Sequence, residues 1–215
     1  MAYYFPEGSR VYYSSTFASA KTISAATNAN PASLTSTSHG YVDGDIFLFT
    51  SGWEDANARL FKADQQDANT FTALGLNTTS TTYFPAGSGT GTTQIVSSWV
   101  EMPQVLNINA TGGGPRYATI EPLASRNPIQ QFVSFEPVNI TITLGHDPSN
   151  ATYLSMLDLS RTATNVGIKI VGGSGGVAYG YGQISVSEVW RMQRGQANAV
   201  DVALSGIRPL ISYSS

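Results

Sequence analysis

His39 and His146 are the two side chains of this sequence suited to proton transfer near neutral pH, and they lie far apart in turn-rich stretches. His146 sits beside Asp147 and could ligate a metal, but a metal site needs two or three such ligands converging. A turn residue next to a helix cap is the simpler role. Asp43 and Asp45 flank Gly44, yet Ile46-Phe47-Leu48 follows and supplies none of the oxygen ligands of a calcium loop. Both aspartates are therefore expected to shape a turn. The run Gly172-Gly173-Ser174-Gly175-Gly176 lacks the Gly-Lys-Ser/Thr of a phosphate loop and runs into a strand pattern, which makes it a hairpin turn. Ser174 has no assignable histidine base, and no serine stands in a Gly-X-Ser-X-Gly elbow. With no cysteine, disulfides and thiolate sites are excluded. Paired carboxylates meet only in three dimensions, but nothing points to a pair. The expectation is a non-enzymatic protein with no catalytic residue, cofactor or metal. Trp53, Trp99 and Trp190 remain for recognition, for example of a sugar ring. Trp99 and Trp190 stand in strand-like, apolar surroundings that suit a core or an interface. Trp53, in Thr50-Ser-Gly-Trp-Glu-Asp55, lies near a turn and is the candidate ligand-binding residue.

The elements that must carry these residues are mostly strands. Residues 1–20 open with Tyr3, Tyr4, Phe5, Tyr12, Tyr13 and Phe17 around a Pro6-Glu7-Gly8 turn, and read either as an edge strand or as an arm docking on a neighbouring subunit. Residues 21–96 read as a separate small β barrel or sandwich, with short strands from Ile23, over 33–37, 46–49, 58–63 and 69–74, divided by turn residues. From Trp99 the strands lengthen. Pro103 interrupts the pattern and marks an edge or bulge, 121–131 reads as an exposed loop, and one strand leads from Phe132 toward His146. Asp147-Pro148 then reads as the N-cap and first position of the one helix, over 148–159, with Tyr153, Met156 and Leu157 on its buried face. Strands over 166–171, 177–186 and 199–207 close the chain, the last with the alternation of an antiparallel sheet. The predicted fold is mainly β: an antiparallel sandwich or barrel over 97–215 joined by the 1–20 strand, one flanking helix, and the 21–96 module.

Composition narrows the class. Charged residues are only 12% of the chain, and 11 basic residues against a net charge of −3 give no grip on nucleic-acid phosphates. A hydrophobic content of 41% supports a core and excludes a disordered chain. Met1–Tyr13 has no secretory pattern, and no apolar run approaches the roughly 20 residues of a membrane helix, so no membrane insertion is expected. A polar but weakly charged β surface suits association with copies of itself.

Ala26-Thr-Asn-Ala-Asn-Pro31, Thr37-Ser-His-Gly-Tyr41, Gly44-Asp45, Ser51-Gly-Trp53, Asn57-Ala-Arg-Leu-Phe61, Ala68-Asn-Thr-Phe71 and Leu74-Gly-Leu-Asn-Thr-Thr79 are similar to a small β module recurrent in tailed-phage virion proteins. Trp99-Val-Glu-Met-Pro-Gln-Val105, Leu144-Gly-His-Asp-Pro148, Tyr179-Gly-Tyr-Gly-Gln-Ile-Ser-Val186 and the 200–207 strand resemble the tail tube (major tail) proteins of long, non-contractile phage tails. The resemblance spans nearly the whole chain. It implies a structural virion protein, assembled in the host cytoplasm, whose homo-hexameric rings stack into a tube. It further implies a tape-measure protein in the lumen, tail terminator and distal tail proteins at the ends, and passage of double-stranded DNA without specific binding. The module is then expected on the tube exterior, as reinforcement or a weak glycan attachment, and the lumen to be polar and acidic. The alternative is a receptor- or carbohydrate-binding tail protein that uses Trp53 as a stacking platform.

Overall fold

The computed structural model describes residues 7–124, 126–173 and 175–214, and only the backbone of residues 206 and 207. Tyr3, Tyr4, Phe5, Pro6 and Ser174 lie outside the described residues. The architecture is mainly β, with 48% of residues in strands and one helix, so pairing between strands sets every site that follows.

The first strand, β1 (Arg10–Ser14), belongs to a sheet completed only by the second half of the chain. The next seven make a sheet of their own: β2 (Lys21–Ile23), β3 (Ala25–Ala26), β4 (Ala32–Thr35), β5 (Ile46–Ser51), β6 (Arg59–Gln65), β7 (Thr70–Leu74) and β8 (Gly91–Ile95). Their order is β2-β8-β5-β6-β7-β4-β3. Its two ends, β2 and β3, are one segment of chain broken at Ser24, whose amide donates to the Thr35 carbonyl at 2.9 Å. A sheet whose first and last strands are continuous closes on itself and leaves no long free edge. Inside lie Tyr41, Phe47, Phe49, Phe61 and Phe71, all buried, with Tyr41 and Phe47 each edge-on to Phe71. Asp43 and Asp45 do shape the turn before β5: their carboxylates accept from the Gln65 and Val42 amides.

The remaining strands are β9 (Val100–Glu101), β10 (Val105–Thr111), β11 (Pro115–Ile120), β12 (Ile129–Phe135), β13 (Val138–Gly145), β14 (Asn165–Val171), β15 (Val177–Val186), β16 (Ala199–Ile207) and β17 (Ile211–Tyr213). The large sheet runs β10-β13-β16-β15-β14-β1-β9, with β17 beside β15, and is nearly closed like a barrel. Its inward residues alternate as strand geometry requires: Ile140, Ile142 and Leu144, then Val200, Val202 and Leu204, then Val166 and Ile168. The helix α1 (Ala151–Arg161) adds Tyr153 and Met156 to that core, with Leu157 packed against it. The expected apolar triad is therefore in place.

The helix start differs from expectation. Its N-cap is Asn150, whose Oδ1 accepts from the amides of Thr152 (2.9 Å) and Tyr153 (3.2 Å). Asp147 instead accepts from the amide and hydroxyl of Ser149, making a local turn before the helix. Those bonds hold its carboxyl below the usual range. Either residue type can cap, and the chain uses the one nearer the apolar stripe. The expected strand from Phe132 is also divided. Glu136-Pro137 separates β12 from β13, and Ile129–Gln131, expected in a loop, begins β12.

The two sheets pack through Ile46, Leu48, Leu60 and Val96 on one side and Trp99, Tyr179 and Tyr181 on the other, with Phe17 between. The C-terminal strand, which sequence patterning missed, ties them. Tyr213 donates its hydroxyl to the Leu74 carbonyl (2.7 Å) and accepts from the Lys62 amide (3.1 Å), while Ile211 enters the small barrel's core.

Candidate functional site

Three surfaces stand out. The first is the outward face of β10, β13 and β16. Register aligns Asn107, Asn109 and Thr111 with Thr143, Thr141 and Asn139, and these with Asp201 and Ala203. The side chains opposite are the core residues, so period-two alternation assigns the amides and hydroxyls to the outside. Asp201, the acid of this face, is paired with Arg191 at 2.7 Å and accepts from the Thr143 hydroxyl at 2.9 Å. The result is polar and close to neutral. Its border is β10, Val-Leu-Asn-Ile-Asn-Ala-Thr, with which no strand among the described residues pairs on the outer edge. That edge carries no lysine, proline or charge of the kind that discourages pairing. Glu7 and Ser9 line a cleft with Val105–Ile108.

The second surface is the hairpin β11–β12, whose strands pair, among the described residues, only with each other. Tyr117, Ile120, Ile129, Phe132, Val133 and Phe135 are all 45–61% exposed. A shift in register between Arg116 and Tyr117 adds one residue to β12. Phe132 and Phe135, three residues apart, would otherwise face opposite ways; the bulge returns them to one side. There their rings meet edge-on at 5.2 Å, and Tyr117 meets Phe132 at 6.2 Å. The hairpin leaves the sheet through Gly112 and Gly113, both at positive φ. A Cβ on Gly112 would collide with the Pro137 carbonyl oxygen, so glycine is required by space as well as by conformation.

The third is a cleft of about 580 Å³ beside the helix, lined by His146, Tyr153, Leu154, Leu157 and Trp190, with the Arg161–Glu188 ion pair at its rim. His146 lies flat on Trp190, with centroids 4.7 Å apart and planes within 9°, and edge-on to Tyr153. Its Nδ1 is buried and has no hydrogen-bond partner among the described residues. The loop 187–198 is held there by His146 donating its amide to the Asn198 carbonyl and by paired backbone bonds between Arg191 and Ala199. Trp190 was expected in a strand; it lies in this loop, partly exposed beside Val189 and Met192. Trp99 is half-buried between the two sheets, as a core or interface role requires.

Trp53 is where the sequence reading must be corrected. It is 1% exposed, donates Nε1–H to the Pro85 carbonyl at 2.8 Å, and packs edge-on to Phe84. The backbone of Gly89 lies against its six-membered ring. The turn around it is polar, but the indole points inward and joins the small barrel's buried core. A ring enclosed in this way offers no face for a sugar. His39 is also structural: its Nδ1 accepts from the Tyr41 amide and its Nε2 donates to the Asp67 carbonyl, both at 2.9 Å. The two histidines are not brought together, and among the described residues no group of three metal-ligating side chains forms.

What sequence reasoning missed was the hairpin and the cleft. Tyr117–Ile120 reads as a short strand, but Gln130 and Gln131 give 129–131 the look of a loop, and no pattern in one chain shows that a surface lacks its cover.

A family model for the phage tail tube protein matches residues 51–215. The chain belongs to the phage tail tube protein family. Among curated proteins none is similar enough to count as a match. Tail tube membership makes this a structural component of the virion tail that assembles with copies of itself into a tube. The tail tube match begins at the end of β5, so it takes in the hairpin, the cleft, the whole large sheet from β9 onward and part of the small barrel. Among the described residues no helix is long and apolar enough to cross a membrane.

Proposed function

We propose that six copies of this chain join into a ring through the edge of β10, and that the Asn/Thr face of β10, β13 and β16 lines the bore. The observation that carries this is the pairing of an unguarded, seven-residue strand edge with a polar, nearly uncharged face. Adding a neighbour's strand to that edge satisfies its backbone groups and extends the face around the ring. A lining of amides and hydroxyls presents no row of cations to hold phosphates, which lets double-stranded DNA pass without being bound. The lining expected from whole-chain charge was polar and acidic; in this reading its acid, Asp201, is balanced by Arg191.

Stacked rings form the channel for genome delivery, with a tape-measure protein in the lumen during assembly, terminator and distal tail proteins at the ends, and assembly in the host cytoplasm. The small barrel packs on Trp99, Tyr179 and Tyr181, on a part of the large sheet remote from β10 in strand order. That arrangement supports an exterior position, where it reinforces the wall.

Negative-stain microscopy of the purified protein is expected to show rings or tubes of uniform bore. A strictly monomeric or trimeric species that binds glycans would overturn the proposal in favour of a receptor-binding tail protein. Thr141→Lys, which puts a cation on the outward face, is expected to leave assembly intact and slow DNA passage in reconstituted virions. Unchanged passage would move the bore to another face.

A further inference from the structure

A smaller cleft, of about 370 Å³, lies on the other flank of the helix from His146 and Trp190. One wall is α1, through Ser155, Asp158, Leu159 and Thr162, whose i, i+3, i+4, i+7 spacing aims them the same way. Facing them are residues 13–16, where β1 leaves for the small barrel, with Ser98 and Val100 at the start of β9. Tyr13 is 3% exposed, and among the described residues its hydroxyl has no hydrogen-bond partner. A buried phenol hydroxyl ordinarily finds one, so the group that answers this one belongs to whatever enters the cleft. Around it stand the hydroxyls of Ser15, Thr16, Ser98 and Ser155 and the carboxylate of Asp158, whose contact with Arg161 is a loose 3.9 Å. Val100 and Leu159 supply an apolar strip between these polar groups.

We infer that this cleft binds a neutral saccharide unit. Among the described residues no lysine or arginine lines it, which leaves a phosphate or other anion without a counter-charge. A single carboxylate is too few ligands for a metal ion. Hydroxyl groups both donate and accept, so a rim of protein hydroxyls matches the hydroxyls of a sugar whichever way each proton turns. Asp158 accepts from a neighbouring pair of sugar hydroxyls, the Tyr13 hydroxyl gains the partner it lacks, and Val100 and Leu159 meet the C–H face of the ring. The volume lies within the range of small-molecule sites. β10 contributes no residue to the cleft, so the site exists whether or not copies pair at that edge. It is also a different place from Trp53, whose ring is enclosed.

Neutral oligosaccharides of glucose and of N-acetylglucosamine are presented to the full chain, both as tubes and as dispersed subunits, and binding is read by saturation-transfer NMR and titration. Binding is expected in both forms. Tyr13→Phe removes a hydroxyl that bonds to no described residue, so it is expected to leave the melting temperature unchanged and to weaken binding by about three- to tenfold. Ser155→Trp fills the cleft from an exposed helix position and is expected to abolish binding in a chain that melts normally. No binding of any saccharide in the set, binding as tight as wild type in either variant, or binding by subunits that vanishes in tubes would each overturn the saccharide site. The last of these would give the cleft to a neighbouring copy. Tubes that form without binding sugar would leave the tube reading in place.

Discussion

At the scale of single residues, burial decides which polar and aromatic groups matter. The Tyr213 hydroxyl bridges the two sheets by donating to the Leu74 carbonyl and accepting from the Lys62 amide. Tyr213→Phe leaves both backbone groups without that partner and is expected to destabilise the fold by about 1–3 kcal/mol, read as a lower urea midpoint at unchanged slope. Trp53→Ala removes the plug of the small barrel and is expected to cost about 3–5 kcal/mol. A thermal melt separates this from a surface role, because loss of a surface ligand contact would leave the melting temperature unchanged. The fate of Trp53 shows where sequence reading stops at this scale. Its polar neighbours Ser51, Glu54 and Asp55 describe the turn correctly, but the direction of the side chain depends on Phe84, Pro85 and Gly89, which arrive from more than thirty residues away. His39 was legible as a turn residue from its neighbour Gly40, and one of its two partners, the Tyr41 amide, is local; the other, the Asp67 carbonyl, is not.

At the scale of elements, caps and hinges set how segments are aimed. Asn150→Ala is expected to destabilise by about 1 kcal/mol through the lost N-cap, whereas Asp147→Ala is expected to change the melt little; equal effects would return the cap to Asp147. A polar residue at Leu157 is expected to lower stability first and assembly as a consequence. Normal melting with lost assembly would place Leu157 in the contact with a neighbour instead. Gly112→Ala forces a Cβ into the Pro137 carbonyl at a positive φ, and is expected to misdirect the hairpin, leaving folded subunits that assemble poorly. The strands from 46–51, 59–65, 70–74, 165–171, 177–186 and 199–207 were legible because each alternates or forms a short apolar run between turn residues. Others were not, and two of them show why. Gly91–Ile95 is Gly-Thr-Thr-Gln-Ile, too polar to declare a buried face, and Ile211–Tyr213 is three residues whose pairing with β15 is purely tertiary. The helix was legible from Tyr153, Met156 and Leu157, but its start was not, since Asp147 and Asn150 are equally good caps on paper.

At the scale of the whole molecule, the fold's response to alkali follows from its buried tyrosines. Burial pushes the phenols of Tyr13, Tyr41, Tyr179, Tyr181 and Tyr213 above their ordinary value. The unfolded chain releases these protons near pH 10 while the folded one retains them, so the unfolded state binds fewer protons and stability falls as pH rises past about 10. Tyrosinate absorbance is expected to rise in two stages, exposed rings first and the buried group together with unfolding; a single smooth titration without loss of ellipticity would contradict this. The two sheets also differ in a way that bears on how polymers of this chain grow. The small barrel is finished by one segment, Lys21–Ala26, serving as both of its ends, whereas in the large sheet no strand among the described residues pairs with the outer edge of β10. A subunit with a second sticky sheet would have surplus valence, and chains crowded together during synthesis would branch into a network. Sealing one sheet within the polypeptide removes that valence and leaves fewer directions in which copies can add.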